Sequence, residues 1–198
     1  MLFRSVSENP AEIFKEKKAW VFFVAAFLYI TFQLGTNMWL PTYAMQNVDA
    51  DFKTAGLMLT AFFAPALPMR FLTPLLLRRI PKPTFFTMFG LIAAALMLVV
   101  YNIQSIPAMF VLIACVGFAQ GSIVVVLIMM CIEAFPERSA SATSLVTIAS
   151  GVSTLTGPLW MGGLAEITGF RLPMIMISCS LAAAALVIFF QNRANKSV

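Results

Sequence analysis

Apolar residues along this chain come in long unbroken runs, not in alternating or amphipathic stripes. Six runs stand out, roughly residues 19–43, 54–78, 84–101, 107–132, 141–164 and 172–190. Crossing the hydrocarbon core of a bilayer as a helix takes about 20 mostly apolar residues, so each run predicts one transmembrane helix. The loops between them are short: MQNVDADFK, RRIPKP, NIQSI, FPERS and EITGFR carry the turn and charge signals. The pattern predicts an all-α membrane protein of six transmembrane helices. Residues 1–18 form a polar lead-in, 19–190 the membrane part and 191–198 a tail.

Charge sets the orientation. Arg4, Lys15, Lys17 and Lys18 precede the first run; Arg78, Arg79 and Lys82 follow the second, Arg138 the fourth, and Arg193 and Lys196 the sixth. The opposite loops hold only Lys53 and Arg171, beside Asp49, Asp51 and Glu166. Basic residues mark the cytoplasmic side, so both termini are expected there. In the lead-in, Asn9 can cap a helix, Pro10 suits its first position and Glu12 suits a capping box. With Ile13 and Phe14 beside lysines, this segment reads either as an interfacial helix on the inner leaflet or as a capped entry to the first span. No cleavable signal peptide is expected, because the first apolar run is too long for one.

Composition agrees with the pattern. The chain is 61% hydrophobic and 11% charged, against about 45–50% and about 25% in soluble domains. The lipid bilayer is therefore the expected surroundings. The net charge of +5 sits at the ends of apolar runs, which argues against a nucleic-acid partner. Cys115, Cys131 and Cys179 lie inside apolar runs without metal-ligand spacing and read as small buried hydrophobes. The chain has no histidine, which removes Ser–His proteolysis and HExxH zinc chemistry. No pair of acids lies within the membrane and no glycine-rich phosphate loop is present. Neither an enzyme, a metal site nor a cofactor is expected.

Polar groups at membrane depth are the candidates for chemistry, because lipid tolerates them only where they meet protein or water. Tyr29, Gln33 and Asn37 recur every four residues on the first span. They read as helix–helix hydrogen bonding or as a cavity wall; three in one stripe exceed what packing needs, which favours the wall. GFAQG in the fourth span holds Gly117 and Gly121 at GxxxG spacing, which lets backbones approach closely. Gln120 between them is a further cavity candidate. The fifth span carries Ser144, Thr147, Ser150, Ser153, Thr154 and Thr156 with Gly151 and Gly157. Thr147 and Thr154 are cavity candidates, and the two glycines packing ones, although Ser and Thr can also satisfy their own backbone.

Arg70, in FFAPALPMRFLTPLLLRRI, is the sharpest case. A charge at a helix centre costs about 2.5–3.5 kcal/mol even on the insertion scale. Arg70 is expected about 6 Å to the cytoplasmic side of its span's midpoint, at a rise of ~1.5 Å per residue. It can snorkel to the inner headgroups. Alternatively, with Pro65, Pro68 and Pro74 breaking the helix around it, it faces inward and offers a planar fork to a carboxylate or similar anion. No acidic residue of this chain lies near mid-membrane to pair it.

The stretches IEAFPERSASATSLVTIASGVSTLTGPLWMGG, TAGLMLTAFFAPALPMRFLTPLLLRRIPKPTFF and FQLGTNMWLPTYAMQ resemble the tenth-to-eleventh, eighth and seventh helices of the major facilitator superfamily. The resemblance covers the chain in order, as the C-terminal six-helix half of that fold. It implies a half bundle, a secondary transporter holding a small-molecule substrate near the midplane between two halves, and a multi-pass protein of a bacterial plasma membrane. In that family the loop after the eighth helix often reads D-R-x-G-R-[RK]. Here Arg78 stands at the Asp, Arg79 keeps the Arg, Pro81 replaces the Gly and Lys82 keeps a basic residue. By the resemblance Arg78, Arg79, Lys82, Glu133, Glu137 and Arg138 belong to the cytoplasmic gating loops, with the acidic member of the latch changed. An arginine on the eighth helix contacts substrate in some anion-carrying members, which would make Arg70 a substrate contact.

The expected function is transport of a small solute, an organic anion first, by a half that needs a second half: a separate chain, a split-gene partner or another copy of itself. The alternative is a truncated remnant or assembly partner that transports nothing. An amphipathic drug-like solute is the next choice of cargo, given 13 Met and 19 Phe.

Overall fold

The computed structural model describes residues 10–196, and the capping role expected of Asn9 lies outside them. A 3-10 turn, Pro10–Lys15, leads into eight α-helices among the described residues. They are α1 (Lys17–Asn47), α2 (Phe52–Phe63), α3 (Ala66–Leu76), α4 (Lys82–Val100), α5 (Ile106–Gln120), α6 (Ile123–Ala134), α7 (Ser139–Thr168) and α8 (Arg171–Lys196). The described residues contain no strand.

Five stretches are long and apolar enough to cross a membrane: Lys17–Asn47, Phe52–Leu76, Lys82–Val100, Ile106–Ala134 and Arg171–Ala194. The α7 helix has 30 residues, but its Ser, Thr and Gly leave it less apolar than those five. Two of the expected spans are not continuous helices. The second divides into α2 and α3 at Ala64–Pro65, and the fourth into α5 and α6 at Gly121–Ser122. In the second, Pro65 and Pro68 have no N–H to give, and Leu67 N–H turns back to the Ala64 carbonyl at 3.2 Å. In the fourth, Gly121 N–H bonds the Phe118 carbonyl at 3.3 Å, a tighter turn than the α-helix makes.

The α1 helix is the hub. It packs on α8, α7, α2 and α6, while α4 packs on α8 and α5 behind it. Side-chain bonds fasten these seams: Thr31 and Ser153 share a hydrogen bond of 2.8 Å between α1 and α7. Ser180 Oγ donates to the Leu28 carbonyl at 3.0 Å, and Thr87 Oγ1 to that of Ala185 at 3.3 Å. At the end of the bundle away from the lead-in, Tyr43 hydroxyl donates to the Tyr101 carbonyl and Arg171 Nη2 to Asn102 Oδ1. The turn from α1 to α2 holds Asp49 at φ 51, a left-handed conformation that aspartate tolerates better than most residues.

The described part of the lead-in, from Pro10 on, packs against the first helix. Ile13 is buried, Trp20 Nε1 donates to the Phe14 carbonyl at 3.0 Å, and the rings of Phe14, Trp20 and Phe23 meet edge to face. Glu16 reaches Arg138 at 4.0 Å and so ties the lead-in to the loop between α6 and α7.

Candidate functional site

The break in the fourth span collects partners from two other spans. Its three consecutive residues Gln120, Gly121 and Ser122 are buried. Tyr29 on α1 donates its hydroxyl to Gln120 Oε1 at 2.8 Å. Arg70 on α3 donates Nε to the Gly121 carbonyl at 3.2 Å. Thr73, one turn further along α3, donates its single hydroxyl proton to the Met69 carbonyl at 2.7 Å, which leaves its oxygen to accept from the Ser122 hydroxyl at 2.6 Å. Leaving the α-helix at Gly121–Ser122 frees the Gly121 carbonyl that Arg70 then meets.

The backbones of spans two and four touch here. A Cβ on Gly117 would lie 2.0 Å from the Phe62 carbonyl oxygen, and one on Gly121 2.7 Å from Ala66 Cα. Only glycine fits at either position. Gly151 and Gly157 on α7 differ, since an added Cβ would meet nothing within 4 Å at either.

Arg70 opens onto a recess of about 630 Å³ between α1, α2 and α3, lined by Asn37, Leu59, Thr60, Phe63, Leu67 and Arg70 itself. With Nε on Gly121, the two Nη groups are the part of the fork left for a ligand, and no carboxylate among the described residues pairs with it. The recess is apolar along Leu59, Phe63 and Leu67 and polar at Asn37, Thr60 and Arg70. This arrangement can hold an anionic group against the guanidinium and an apolar body beside it.

The other candidate residues are distributed as follows. The Tyr29–Gln33–Asn37 stripe turns as it climbs: Tyr29 is buried, Gln33 half-buried and Asn37 exposed in the recess. Thr147 and Thr154 are exposed on α7, each donating to the carbonyl four residues back, Thr143 and Ser150. In the loops expected to be cytoplasmic, Arg78, Arg79 and Glu137 are exposed, Lys82 pairs with Glu133, and Arg138 with Glu16. Sequence reasoning passed over Thr73, Ser122 and Thr60. Thr73 was within reach of it: three residues after Arg70, it lies on the same helical face.

A family model described as Major Facilitator Superfamily matches residues 11–198. An uncharacterized MFS-type transporter, YfkL of Bacillus subtilis (strain 168), is 26% identical over 155 residues, covering 75% of this chain and 39% of that protein. Among solved structures, a peptide transporter POT mutant in complex with alafosfalin superposes with a TM-score of 0.76 at 14% identity, over 89% of this chain and 38% of that one. The same mutant in complex with sulfate gives a TM-score of 0.76 at 15% identity, with the same coverage. This chain thus spans about two fifths of the length of each of these proteins. Their likeness is to transporters and not to enzymes, and with the family model running through every helix, the chain is an integral membrane protein of the Major Facilitator Superfamily.

Proposed function

We propose that this chain is one half of a secondary transporter working by alternating access, and that its recess receives the anionic group of a small organic solute at Arg70. The observation that carries the reading is the geometry of Arg70: a guanidinium within the apolar stretch Phe52–Leu76, oriented by a backbone carbonyl, facing an open recess without a carboxylate partner among the described residues. A charge at that depth is sustained when it meets a ligand or water, and a planar fork matches a carboxylate in two contacts.

In this reading all six helical stretches cross the membrane, α7 included, with both ends of the chain in the cytoplasm of a bacterial cell. The B. subtilis relative supports the bacterial plasma membrane as its place. Rocking needs a second body. Its docking face is the side of the bundle where α2, α3 and α7 leave apolar side chains bare: Phe71 is 84% exposed and Leu159 77%. The second half comes from the rest of a longer protein, a separate chain or another copy. A non-transporting assembly partner remains the second reading, favoured by Arg78 at the position where the family's loop carries an acid.

The test uses the purified chain and thermal unfolding. Benzoate and other small carboxylates should raise the unfolding temperature, while the matched neutral amides should not. A ligand at 100 times its Kd stabilises the folded state by about 2.7 kcal/mol. Arg70→Gln should lose the anion response with its basal stability within reach of the parent. Equal responses to anions and amides, or an anion response that survives Arg70→Gln, would sink the assignment.

A further inference from the structure

Spans two and four are interrupted at the same depth, and they touch at the interruptions. The break at Ala64–Pro65 lies between Phe62 and Ala66, the two residues whose backbones press on Gly117 and Gly121. A crossing built without side chains on one partner is a fulcrum: the helices can tilt about it without unpacking interlocked side chains. Proline removes the hydrogen bonds that would keep the two sides of the break in line.

The inner helix α3 has few other holds. It packs on α5 and adjoins α2, burying only Ala66, Met69 and Thr73. Leu67, Phe71, Leu72 and Leu75 on its other sides are exposed. Two side-chain bonds run from it to span four, Arg70 to the Gly121 carbonyl and Thr73 to Ser122. Both end on the two residues that lie outside α5 and α6.

We propose that α3 is a hinged arm, pivoting at Ala64–Pro65 over the Gly117–Gly121 crossing, with Arg70–Gly121 and Thr73–Ser122 as the latch that holds it closed. The device links the recess to the cytoplasmic end of the bundle. The guanidinium that faces the recess is also half of the latch, so an anion drawing on it shares the group that keeps α3 in place. The link to solute rests on the function proposed above; the hinge and latch do not.

The experiment measures the arm without any solute. Spin labels on unnatural amino acids, which leave the native cysteines in place, go at Leu57 on α2 and Leu75 on α3, about 27 Å apart at ~1.5 Å per residue. A control pair at Leu57 and Val111 joins the outer helices α2 and α5. In nanodiscs the hinge pair should show a main distance and a minor displaced one. Thr73→Val, nearly isosteric, should enlarge the minor population by about threefold, the size expected for losing one interhelical hydrogen bond in a membrane. Arg70→Gln should act in the same direction, and the control pair should stay narrow in every variant. A hinge-pair distribution unmoved by both variants overturns the latch, and equal broadening of the control pair shows general loosening instead. An unmoved hinge beside intact anion binding removes the arm and leaves the site. A moving hinge without anion binding does the reverse.

Discussion

Tyr29 and Gln120, 91 residues apart in the chain, are joined inside the bundle by a hydrogen bond of 2.8 Å, and both side chains are buried. The bond ties the hub helix to the break in span four, one residue before the carbonyl that holds Arg70. It is where the recess is anchored to the rigid part of the fold.

Breaking that bond should therefore cost stability in a way that only the pair explains. Tyr29→Phe leaves Gln120 Oε1 buried without this donor; Gln120→Leu leaves the Tyr29 hydroxyl without this acceptor. Interhelical hydrogen bonds in membranes are worth about 0.6 kcal/mol on average and up to about 1.7. Each single variant should fall in that range or slightly above it. The double variant should be less destabilised than the sum, because no buried polar group is left unpaired. Denaturant titration in mixed micelles reads all three, and strict additivity would show that the two side chains do not depend on each other.

Gly117 and Gly151 should part ways when each is replaced by alanine. At Gly117 the new Cβ meets the Phe62 carbonyl at 2.0 Å; that is backbone, so the spans must separate, at a cost of about 1–3 kcal/mol by the usual price of overpacking. At Gly151 nothing lies within 4 Å and the side of α7 is exposed. There Gly151→Ala should be neutral or stabilising by up to ~1 kcal/mol, the helix-propensity difference. The same thermal assay compares them. A loss at Gly151 of the size seen at Gly117 would mean that this face of α7 is already occupied in the isolated chain.

These contrasts mark what the sequence could and could not reveal. Long apolar runs announce helices because no other open chain satisfies its backbone in lipid, and the GxxxG of span four pointed to a close approach that Gly117 and Gly121 do make. Gly151 and Gly157 stand six residues apart, without that spacing, and meet no neighbour within 4 Å in this chain; small residues alone do not say which side of a helix has a partner. The polar stripe of span one is a matter of pitch. Steps of four residues overshoot one turn by about 40° at 3.6 residues per turn, so Tyr29 and Asn37 differ by about 80° in direction. That is enough to bury one and expose the other. The partner of Arg70 was hidden for another reason: the Gly121 carbonyl is left free because the helix stops there.

Lys82 and Glu133 form an ion pair between the start of α4 and the end of α6. The Glu133 side chain is 58% exposed, and exposed pairs are worth about 0–1 kcal/mol. Lys82→Gln and Glu133→Gln should each leave thermal stability nearly unchanged, with a coupling energy below about 1 kcal/mol that shrinks further in high salt. A coupling of several kcal/mol would mean that the pair is shielded by something docked over the α4–α6 end.

The crossing of α7 has the most depending on it, because α7, expected to span from the run 141–164, is less apolar than the five stretches long and apolar enough to cross. Its 30 residues extend about 45 Å at ~1.5 Å per residue, more than the roughly 30 Å of a hydrocarbon core. Its Ser and Thr hydroxyls return to their own backbone, as Ser144, Thr147, Ser150, Thr154 and Thr156 do, so their polarity is blunted in lipid. If α7 crosses, its two ends lie on opposite sides. In a chain with Cys115, Cys131 and Cys179 replaced by alanine, a membrane-impermeant maleimide added to intact cells should label Lys53→Cys, Ser105→Cys and Thr168→Cys. Arg79→Cys and Glu137→Cys should react only after the membrane is opened. Labelling of Glu137→Cys and Thr168→Cys from the same side would take α7 out of the membrane, and with it the six-span half that alternating access requires. The full reverse pattern would keep all six spans and invert the chain, placing Lys82 and Glu133 on the outside.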